Sequence, residues 1–343
     1  MLLYYHHKYP VKGGGQIITK LNWNFGTNII KRDENLVNIQ PSFLKRFKNR
    51  TIAIKDLYPI GKDDQLLAMG KMGEYSFIDL DSVLEIMGEE INLLASHGQN
   101  IINKLRGIVV NPPKTSIMNT FYDTKRFLGQ GYKTLIIFLD GFGYHQYLEA
   151  INGGYAPFLA GMVKGKRAIS VYKPVTNAGF AAMITGKPPY LNGVYSRKQR
   201  AMKVPSIFKI ANDMGKSSVL IEGHIKILNT EIEPILNIDR NKSGTTDDEV
   251  FQSTLESMAK YPDLIMSHFH GIDDMGHEKG DLNPKTMGKI KDIDGYIREM
   301  LGQWRGKVII TSDHGMHTSD QGGDHGIFRY EDLIVPYIII DKE

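Results

Sequence analysis

The 343-residue chain contains no cysteine. This absence excludes disulfide bonds, thiol nucleophiles and cysteine-based zinc sites. The sequence also lacks any apolar run that approaches the roughly 20 residues needed to cross a membrane, so no membrane span is expected. Its first residues, MLLYYHHKYP, show neither the apolar core nor the small-residue cleavage site of a secretion signal. These absences favour the cytoplasm, with secretion as the alternative if a leader was removed.

A strong charge of one sign is missing as well. The 42 Lys and Arg residues against 38 Asp and Glu residues leave a net charge of +4, which is too small to indicate specific nucleic acid binding. The only concentration of basic residues, FLKRFKNR at 43–50, is interpreted as a solvated face rather than an anion or membrane contact. Length and composition are those of a globular protein with a full core and one large and one smaller domain.

The first 115 residues carry no motif that indicates chemistry. Ser82 to Glu85 has the form of a capping box, and the apolar residues after it recur at spacings that predict a long helix, weakened at Gly88 and Gly98. These apolar positions are Leu84, Met87, Ile91, Leu94, Ile101 and Leu105. Residues 110–116, VNPPKTS, indicate a boundary. We therefore predict an N-terminal accessory region over 1–115, of uncertain α+β fold, and a second domain over 116–343.

From about residue 117 the pattern changes to short apolar, β-branched runs. The predicted strands are TLIIFL (134–139), AISVY (168–172), SSVLIE (217–222), DLIMSHF (263–269), KVIITS (307–312) and LIVPYIII (333–340). Amphipathic helices are predicted between several of them, such as 247–261 and 287–304. This alternation indicates an α/β sandwich around a mostly parallel sheet. In such folds the functional groups gather beyond the carboxyl ends of the strands.

Carboxylates and imidazoles follow three of these predicted strands. They are Asp140, Asp273, His277, Asp313, His314 and His325. Each one alone is consistent with an ordinary turn or loop, but their joint placement at strand exits indicates a site. Three Asp and three His make two sets of metal ligands, and a donor set without thiolate favours Zn²⁺, with Mn²⁺ as the alternative. We therefore predict two divalent metal ions.

The segment KPVTNAGFAAMITGKPP (173–189) places Thr176 between a predicted strand and a predicted helix. By itself Thr176 would be a helix N-cap. Beside two metal ions it is a candidate nucleophile, because coordination to a dication favours its alkoxide. The helix N-terminus behind it offers backbone N–H groups to a phosphoryl oxygen.

The order of these motifs resembles the alkaline phosphatase superfamily, and within it the type I phosphodiesterase/nucleotide pyrophosphatase family, which includes the phosphonoacetate hydrolases. The similar segments are LDGFG (139–143), TNAGFAAMITGKPP (176–189), DDMGHEKG (273–280), SDHGM (312–316) and GDHG (323–326). The resemblance covers about residues 134–326. It implies an alkaline phosphatase-like three-layer sandwich with a mostly parallel central sheet, and it makes 116–343 the metal-dependent catalytic domain.

Carried over by position, the resemblance implies two ligand sets. The first would be Asp140, Thr176, Asp313 and His314, and the second Asp273, His277 and His325. It implies a hydrolase of phosphodiester or pyrophosphate bonds, with a small phosphorus ester such as a nucleotide as substrate. A phospho- or nucleotidyl-threonine intermediate would form on the nucleophile. Hydrolysis of a phosphonate or phosphomonoester at the same site is the alternative, and a non-catalytic, metal-stabilised binding protein is a more distant one. Oligomeric state is not indicated.

One position departs from the family. Members with phosphodiesterase activity generally carry an Asn three residues after the nucleophile, which contacts the phosphoryl oxygen, whereas position 179 here is Gly. Asn177 is the candidate replacement, through its side-chain amide or its backbone N–H. The alternative is that Asn177 only shapes the turn.

Further side chains near the motifs have open roles. Asp274 is the alternative to Asp273 as a ligand, although the DxxGH spacing favours Asp273. His270 and His317 are additional imidazoles that contact substrate, act as a proton donor or serve the structure. Lys187 and Arg197 either meet a substrate anion or are solvated.

Overall fold

The computed structural model describes residues 51–56, 61–87, 90–162 and 164–342 in full, and the backbone of residue 57 and of two strands at 27–30 and 36–39. The basic stretch at 43–50 therefore lies outside the described residues. None of the helices in these ranges has both the length and the apolar character that a membrane crossing requires.

The described residues before 111 form short strands and one helical turn. These elements are β1 (Thr27–Ile30), β2 (Leu36–Ile39), β3 (Thr51–Ala53), α1 (Ile54–Leu57), β4 (Leu66–Gly70), β5 (Tyr75–Ile78), β6 (Val83–Met87), β7 (Glu90–Leu94), β8 (Asn100–Ile102) and β9 (Leu105–Val110). They build a five-stranded sheet of order β2-β1-β9-β4-β5 and a four-stranded sheet of order β3-β6-β7-β8.

The predicted long helix after Ser82 is wrong, because this segment forms the hairpins β6 to β9. Burial alternates along β6, where Leu84 and Ile86 are buried while Met87 is 54% exposed. Strands bury every second residue, so the spacings of three within β6 and β7 place Leu84 and Ile91 in the core and Met87 and Leu94 on the opposite face. A turn lies at Gly98, which has a φ of 88° and donates its N–H to the carbonyl of Ala95.

The remainder of the chain alternates strands and helices. Its elements are β10 (Thr115–Ser116), α2 (Asn119–Gly129), β11 (Thr134–Leu139), α3 (Tyr144–Asn152), α4 (Pro157–Ala160), β12 (Lys166–Ile169), α5 (Thr176–Thr185), α6 (Pro189–Asn192), α7 (Ile207–Asp213), β13 (Ser218–Glu222), β14 (Ile235–Leu236), α8 (Asp247–Met258), β15 (Leu264–Phe269), α9 (Gly271–Lys279), α10 (Pro284–Gln303), β16 (Gly306–Thr311), β17 (His317–Ser319), β18 (Gly322–Asp324), α11 (Tyr330–Leu333) and β19 (Ile334–Lys342).

An eight-stranded sheet of order β10-β12-β19-β16-β11-β15-β13-β14 forms the centre of this region. The five strands from β16 to β14 are parallel, and β19 runs antiparallel to both of its neighbours. Each face of β11 joins a different core: Leu135 and Ile137 pack with α3, α8 and α10, whereas Ile136 and Phe138 pack with α2, α5 and α7. Helices thus cover both faces, and the predicted α/β class with a mostly parallel sheet is confirmed.

The five-stranded N-terminal sheet packs directly on the α/β region. Leu67, Met69 and Val109 belong to the same core as β11. At Gly107 the two regions approach so closely that a Cβ would lie 2.2 Å from a ring carbon of Phe328. The boundary at 115/116 stays a prediction.

Candidate active site

The candidate ligands lie at the carboxyl ends of β11, β15 and β16, where parallel strands bring them together. Asp140 directly follows β11, and Asp313 comes two residues after the end of β16. Gly141 makes the turn after Asp140 with a φ of 69°, and a Cβ there would lie 2.7 Å from Asp273 Oδ1. Glycine at this position therefore permits the left-handed backbone and the close approach of two carboxylates.

The first predicted ligand set converges on one imidazole nitrogen. His314 Nε2 lies 3.5 Å from Asp140 Oδ1, 3.3 Å from Asp313 Oδ2 and 3.4 Å from Thr176 Oγ1. The other ring nitrogen, Nδ1, is 3.0 Å from the carbonyl of Gly315. This contact directs Nε2 toward the two carboxylates and the hydroxyl.

The second predicted set is built around Asp273. Its Oδ2 lies 3.4 Å from His277 Nε2, and its Oδ1 lies 3.7 Å from His325 Nε2. Asp273 and His277 are four residues apart on α9 and therefore share one helix face. Asp274 is exposed and belongs to none of the groups of converging ligand atoms in the described part of the chain, whereas Asp273 does.

The two sets adjoin each other. Ligand atoms of Asp273, His314 and His325 lie within 4.8 Å of one another, as do those of Asp140, Asp313 and His314. The rings of His314 and His325 are stacked with centroids 3.8 Å apart. His314 thus faces both sets.

The buried donor atoms fit divalent cations. Within the described residues, four of them make no hydrogen bond: Asp140 Oδ1, Asp273 Oδ1, Asp313 Oδ2 and His277 Nε2. Leaving charged oxygens buried and unpaired is costly, and a bound cation would remove that cost. Oxygen and imidazole donors without thiolate suit Zn²⁺ or Mn²⁺.

The charges of the site perturb one another. Burial, together with the charges of Asp140 and Asp273, raises the pKa of Asp313 well above its usual range. Burial and the neighbouring His325 lower the pKa of His314 to about 4, so its imidazole is neutral at pH 7. By contrast, the contact of its Nε2 with the carboxylate of Asp273 raises the pKa of His277 to about 9.

Sequence reasoning missed the support of Asp140. Its second oxygen, Oδ2, lies 3.2 Å from both His268 Nε2 and His270 Nδ1. His268 is fully buried, stacks on Phe138, and has its Nδ1 3.9 Å from Glu222 Oε1. The signal was present in the HFH spacing, because residues two apart at a strand end point to the same side.

His270 carries charge beside this carboxylate. Burial alone would lower the pKa of His270, but the hydrogen bond and negative charge of Asp140 raise it to about 9. His317, the other extra imidazole, has its Nδ1 2.6 Å from the carboxylate of Asp332. The structure therefore joins His270 to the candidate ligands and His317 to a different carboxylate.

A second missed residue, Asp247, holds the start of α9. Its carboxylate accepts the backbone N–H of His270 at 2.9 Å and that of Gly271 at 3.1 Å. Burial raises the pKa of Asp247. Because α9 carries Asp273 and His277, this contact positions the second ligand set.

Thr176 is the first residue of α5, and the N-cap is Val175. The expected N-cap role therefore falls on its neighbour. Asn177 directs its amide elsewhere than expected, since Nδ2 donates to the carbonyls of Gln199 at 3.1 Å and Ile227 at 3.4 Å. Its backbone N–H belongs to the first turn of α5, where helix donors have no partner within the helix.

Position 179 has no room for a side chain. A Cβ on Gly179 would lie 2.6 Å from the carbonyl oxygen of Asp313 and 2.7 Å from its Cβ. An Asn here would push Asp313 out of place.

The two cationic candidates, Lys187 and Arg197, lie at different distances from the site. Lys187 follows the far end of α5, about 15 Å along the helix from Thr176, whereas Arg197 Nη2 lies 2.6 Å from His325 Nε2.

Residues 228–337 match the model of the family described as type I phosphodiesterase / nucleotide pyrophosphatase. The resemblance predicted from the motifs is thus confirmed for this segment, which contains the second ligand set together with Asp313 and His314. Asp140 and Thr176 lie before it.

Individual proteins are similar over parts of the chain. The human GPI ethanolamine phosphate transferase 3 catalytic subunit is 32% identical over 66 residues, 19% of this chain and 6% of that protein. Phosphonoacetate hydrolase from Sinorhizobium meliloti 1021, solved with phosphonoformate, is 18% identical over 56% of this chain and 59% of that chain, with a TM-score of 0.45. Human ectonucleotide pyrophosphatase / phosphodiesterase 5 is 20% identical over 55% and 58%, with a TM-score of 0.43.

Proposed function

We propose that the protein is a two-metal hydrolase of phosphodiester or pyrophosphate bonds in small phosphorus esters, nucleotides included, and that it acts through Thr176. The observation that carries the proposal is the position of Thr176 Oγ1, 3.4 Å from His314 Nε2. Thr176 thus stands at the start of a helix and beside buried carboxylates whose oxygens lack partners. The family match over 228–337 supports the same reaction class.

Two divalent ions, Zn²⁺ with Mn²⁺ as the alternative, are part of the proposal. Asp140, Thr176, Asp313 and His314 would hold the first, and Asp273, His277 and His325 the second. Such a pair lowers the pKa of a coordinated hydroxyl and stabilises charge that develops on phosphoryl and leaving-group oxygens.

The chain itself supplies the nucleophile and part of the oxyanion stabilisation. Thr176 Oγ1 forms the new P–O bond while its proton passes to solvent water, and the bond to the leaving-group oxygen breaks on the opposite side. The product of this step is a phospho- or nucleotidyl-threonine, which water then hydrolyses. Backbone N–H groups of Asn177 and Ala178, in the first turn of α5, donate to a phosphoryl oxygen in place of the missing Asn side chain.

The nucleophile is tested with Thr176→Ala and an aryl phosphodiester. We expect kcat/KM to fall at least about 10³-fold because no hydroxyl remains to attack phosphorus. Thr176→Ser, which keeps the hydroxyl, is the matched control and should retain measurable turnover. Chelation should abolish hydrolysis in the wild type, and added zinc should restore it. Undiminished hydrolysis by Thr176→Ala would refute the nucleophile.

The intermediate predicts a stereochemical outcome. Two in-line displacements at phosphorus, first by Thr176 and then by water, give net retention of configuration. Hydrolysis of a chiral phosphorothioate diester in ¹⁸O-labelled water, with the configuration of the isotopically chiral product read by ³¹P NMR, checks this. Net inversion would mean that water attacks directly and that no covalent threonine adduct forms.

Gly179 favours a second candidate function, hydrolysis of a phosphonate such as phosphonoacetate or of a phosphomonoester at the same site. Without the Asn that phosphodiesterases of the family generally carry, the phosphoryl oxygen meets different donors. Comparing kcat/KM on an aryl diester, an aryl monoester and phosphonoacetate separates the candidates. A zinc-loaded protein that is inert toward all three substrates and toward sulfate esters would instead support a metal-stabilised binding protein.

A further inference from the structure

A surface arginine reaches into the site and ends on a predicted ligand of the second metal. Arg197 is an exposed residue, whereas His325 is only 6% exposed. The guanidinium nitrogen Nη2 nevertheless lies 2.6 Å from His325 Nε2. The contact therefore joins the mouth of the site to its interior.

Hydrogen-bond chemistry fixes which atom accepts in this contact. A guanidinium has only donors and stays charged at neutral pH, so His325 Nε2 must present its lone pair to Arg197. The hydrogen of the neutral ring then sits on Nδ1, which is 2.9 Å from the carbonyl of Pro174 and donates to it. This lone pair on Nε2 is the one that a metal ion would use.

Arg197 and a metal ion cannot share that lone pair, and their positive charges repel each other. Metal binding at His325 therefore moves the guanidinium away. The backbone that carries it is tied down nearby, because Asn177 Nδ2 donates to the carbonyl of Gln199 at 3.1 Å and Ser196 Oγ donates to Gln199 Oε1 at 2.6 Å. The displaced side chain thus stays at the mouth of the site, next to the helix that begins at Thr176.

We propose that Arg197 is a specificity residue that binds a second anionic group of the substrate, a phosphate or carboxylate next to the phosphorus that Thr176 attacks. The planar guanidinium matches such oxygens with two parallel hydrogen bonds. The same guanidinium contacts His325 Nε2, the atom that a second metal ion would use. The inference rests on the proposed two-metal function, and it narrows the substrate class to esters with an additional anionic group.

The contact with His325 is tested by zinc binding without any turnover. In Arg197→Met the competing cation is gone, so we expect the second equivalent of zinc to bind about tenfold tighter in a chelator competition. Lys198→Met removes the same charge from the neighbouring exposed residue and should leave both zinc affinities unchanged. Tighter zinc binding in Arg197→Met cannot result from damage to the fold, because damage does not strengthen a metal site. Unchanged or weaker zinc binding in this variant would overturn the proposal.

The substrate role is tested by comparing two probes on the zinc-loaded enzyme. Bis(p-nitrophenyl) phosphate has no second anionic group, whereas ATP carries further phosphates. We expect Arg197→Met to lower kcat/KM for ATP about 10- to 100-fold and to change that for the aryl diester by no more than about twofold, with Arg197→Lys in between. Equal losses on both probes would overturn the specificity role.

Failure of the proposed function gives a different result. A wild-type protein that cleaves neither probe contradicts the proposed hydrolase function. The zinc-binding comparison of Arg197→Met with Lys198→Met still tests the contact between Arg197 and His325. The anion role is then measured as the equilibrium affinity of the zinc-loaded protein for ATP. This affinity should be about tenfold weaker in Arg197→Met and unchanged in Lys198→Met; equal affinities in the wild type and Arg197→Met would reject it.

Discussion

At the scale of single residues, Gly179 links the nucleophile helix to a predicted metal ligand. The helix α5 packs so tightly on the turn after β16 that the backbone and Cβ of Asp313 fill the space where a Cβ on residue 179 would lie. The missing Asn is therefore a packing requirement in this chain. The tight packing of α5 on the turn after β16 thus explains both the Gly at position 179, where the family generally has Asn, and the close approach of Asp313.

Gly179→Ala should consequently damage the site without changing a ligand. The added Cβ displaces Asp313, and we expect kcat/KM to fall about 10²-fold because small misplacements of reacting groups are costly. Zinc affinity should fall as well. Gly288→Ala, on α10 with open space around the position, is the control and should be neutral or stabilise by up to about 1 kcal/mol. A Gly179→Ala protein with wild-type zinc affinity would contradict this account of the packing.

His268 should act on the first metal set through Asp140. It contacts Oδ2 of that carboxylate, and loss of such a supporting partner typically costs 10- to 100-fold in metal affinity. We expect His268→Ala to weaken zinc binding by about this factor, and His268→Gln to recover part of it because its amide can still donate. The exposed His224 provides the control, His224→Ala, which should bind zinc as the wild type does. Isothermal titration at fixed pH measures all four proteins.

Zinc binding at the second set should depend on pH. His277 has a pKa raised to about 9 by Asp273, so below pH 9 the imidazole holds a proton that must leave before its nitrogen can ligate. The affinity should therefore fall as pH drops, by up to about tenfold per unit between pH 9 and 6. His314, with a pKa of about 4, adds no such dependence in this range. An affinity that is flat from pH 7 to 9 would contradict the raised pKa of His277.

Asp140, Asp273, Asp313 and His314 were readable from the sequence because each lies a few residues after a buried strand. A strand end fixes where a side chain emerges, and parallel strands emerge at one edge of the sheet. Of the supporting residues, only His268 had a local signal, the HFH spacing at 268–270. Glu222 and Asp247 act through contacts between segments far apart in sequence, and nothing in local spacing reports such contacts.

At the scale of elements, α9 depends on a carboxylate that it does not contain. Asp247, the first residue of α8, accepts N–H groups at the start of α9. We expect Asp247→Ala to lower the free energy of unfolding by about 1–2 kcal/mol and to weaken zinc binding at the second set. Asp292→Ala, an exposed change on α10, is the control. Thermal melts of the metal-free proteins measure the first effect, and equal melting temperatures would contradict it.

The prediction of secondary-structure elements succeeded where every residue of a run is buried. It failed where buried and exposed residues alternate along short strands that are separated by turns. The run at 134–139 is buried throughout and coincides with β11. The segment from 83 to 110 offered apolar spacings that suit a helix as well as a set of hairpins. Pairing with strands distant in sequence favours the hairpins over the helix, because Leu84 pairs with Ile52 and Val109 pairs with Leu67.

At the scale of the whole molecule, the five-stranded N-terminal sheet touches the segment that carries the last predicted ligand. Gly107 on β9 meets the ring of Phe328, three residues after His325. Gly107→Val would displace this ring, and overpacking of this kind typically costs about 1–3 kcal/mol. We expect a lower melting temperature and weaker zinc binding at the second set. Gly295→Ala, in open space on α10, should show neither change, and an unaltered zinc affinity in Gly107→Val would mean that the two regions are independent.

The stacked rings of His314 and His325 have a consequence for how the protein fills with metal. Each ring forms part of the wall of the neighbouring set, and His314 offers an atom within reach of both groups of ligand atoms. An ion in one set therefore orders a ligand of the other and neutralises charge beside it. The two binding equilibria are thermodynamically linked, and linkage is reciprocal. We expect a substitution that weakens zinc binding in one set, such as His268→Ala, to change the zinc affinity of the other set as well.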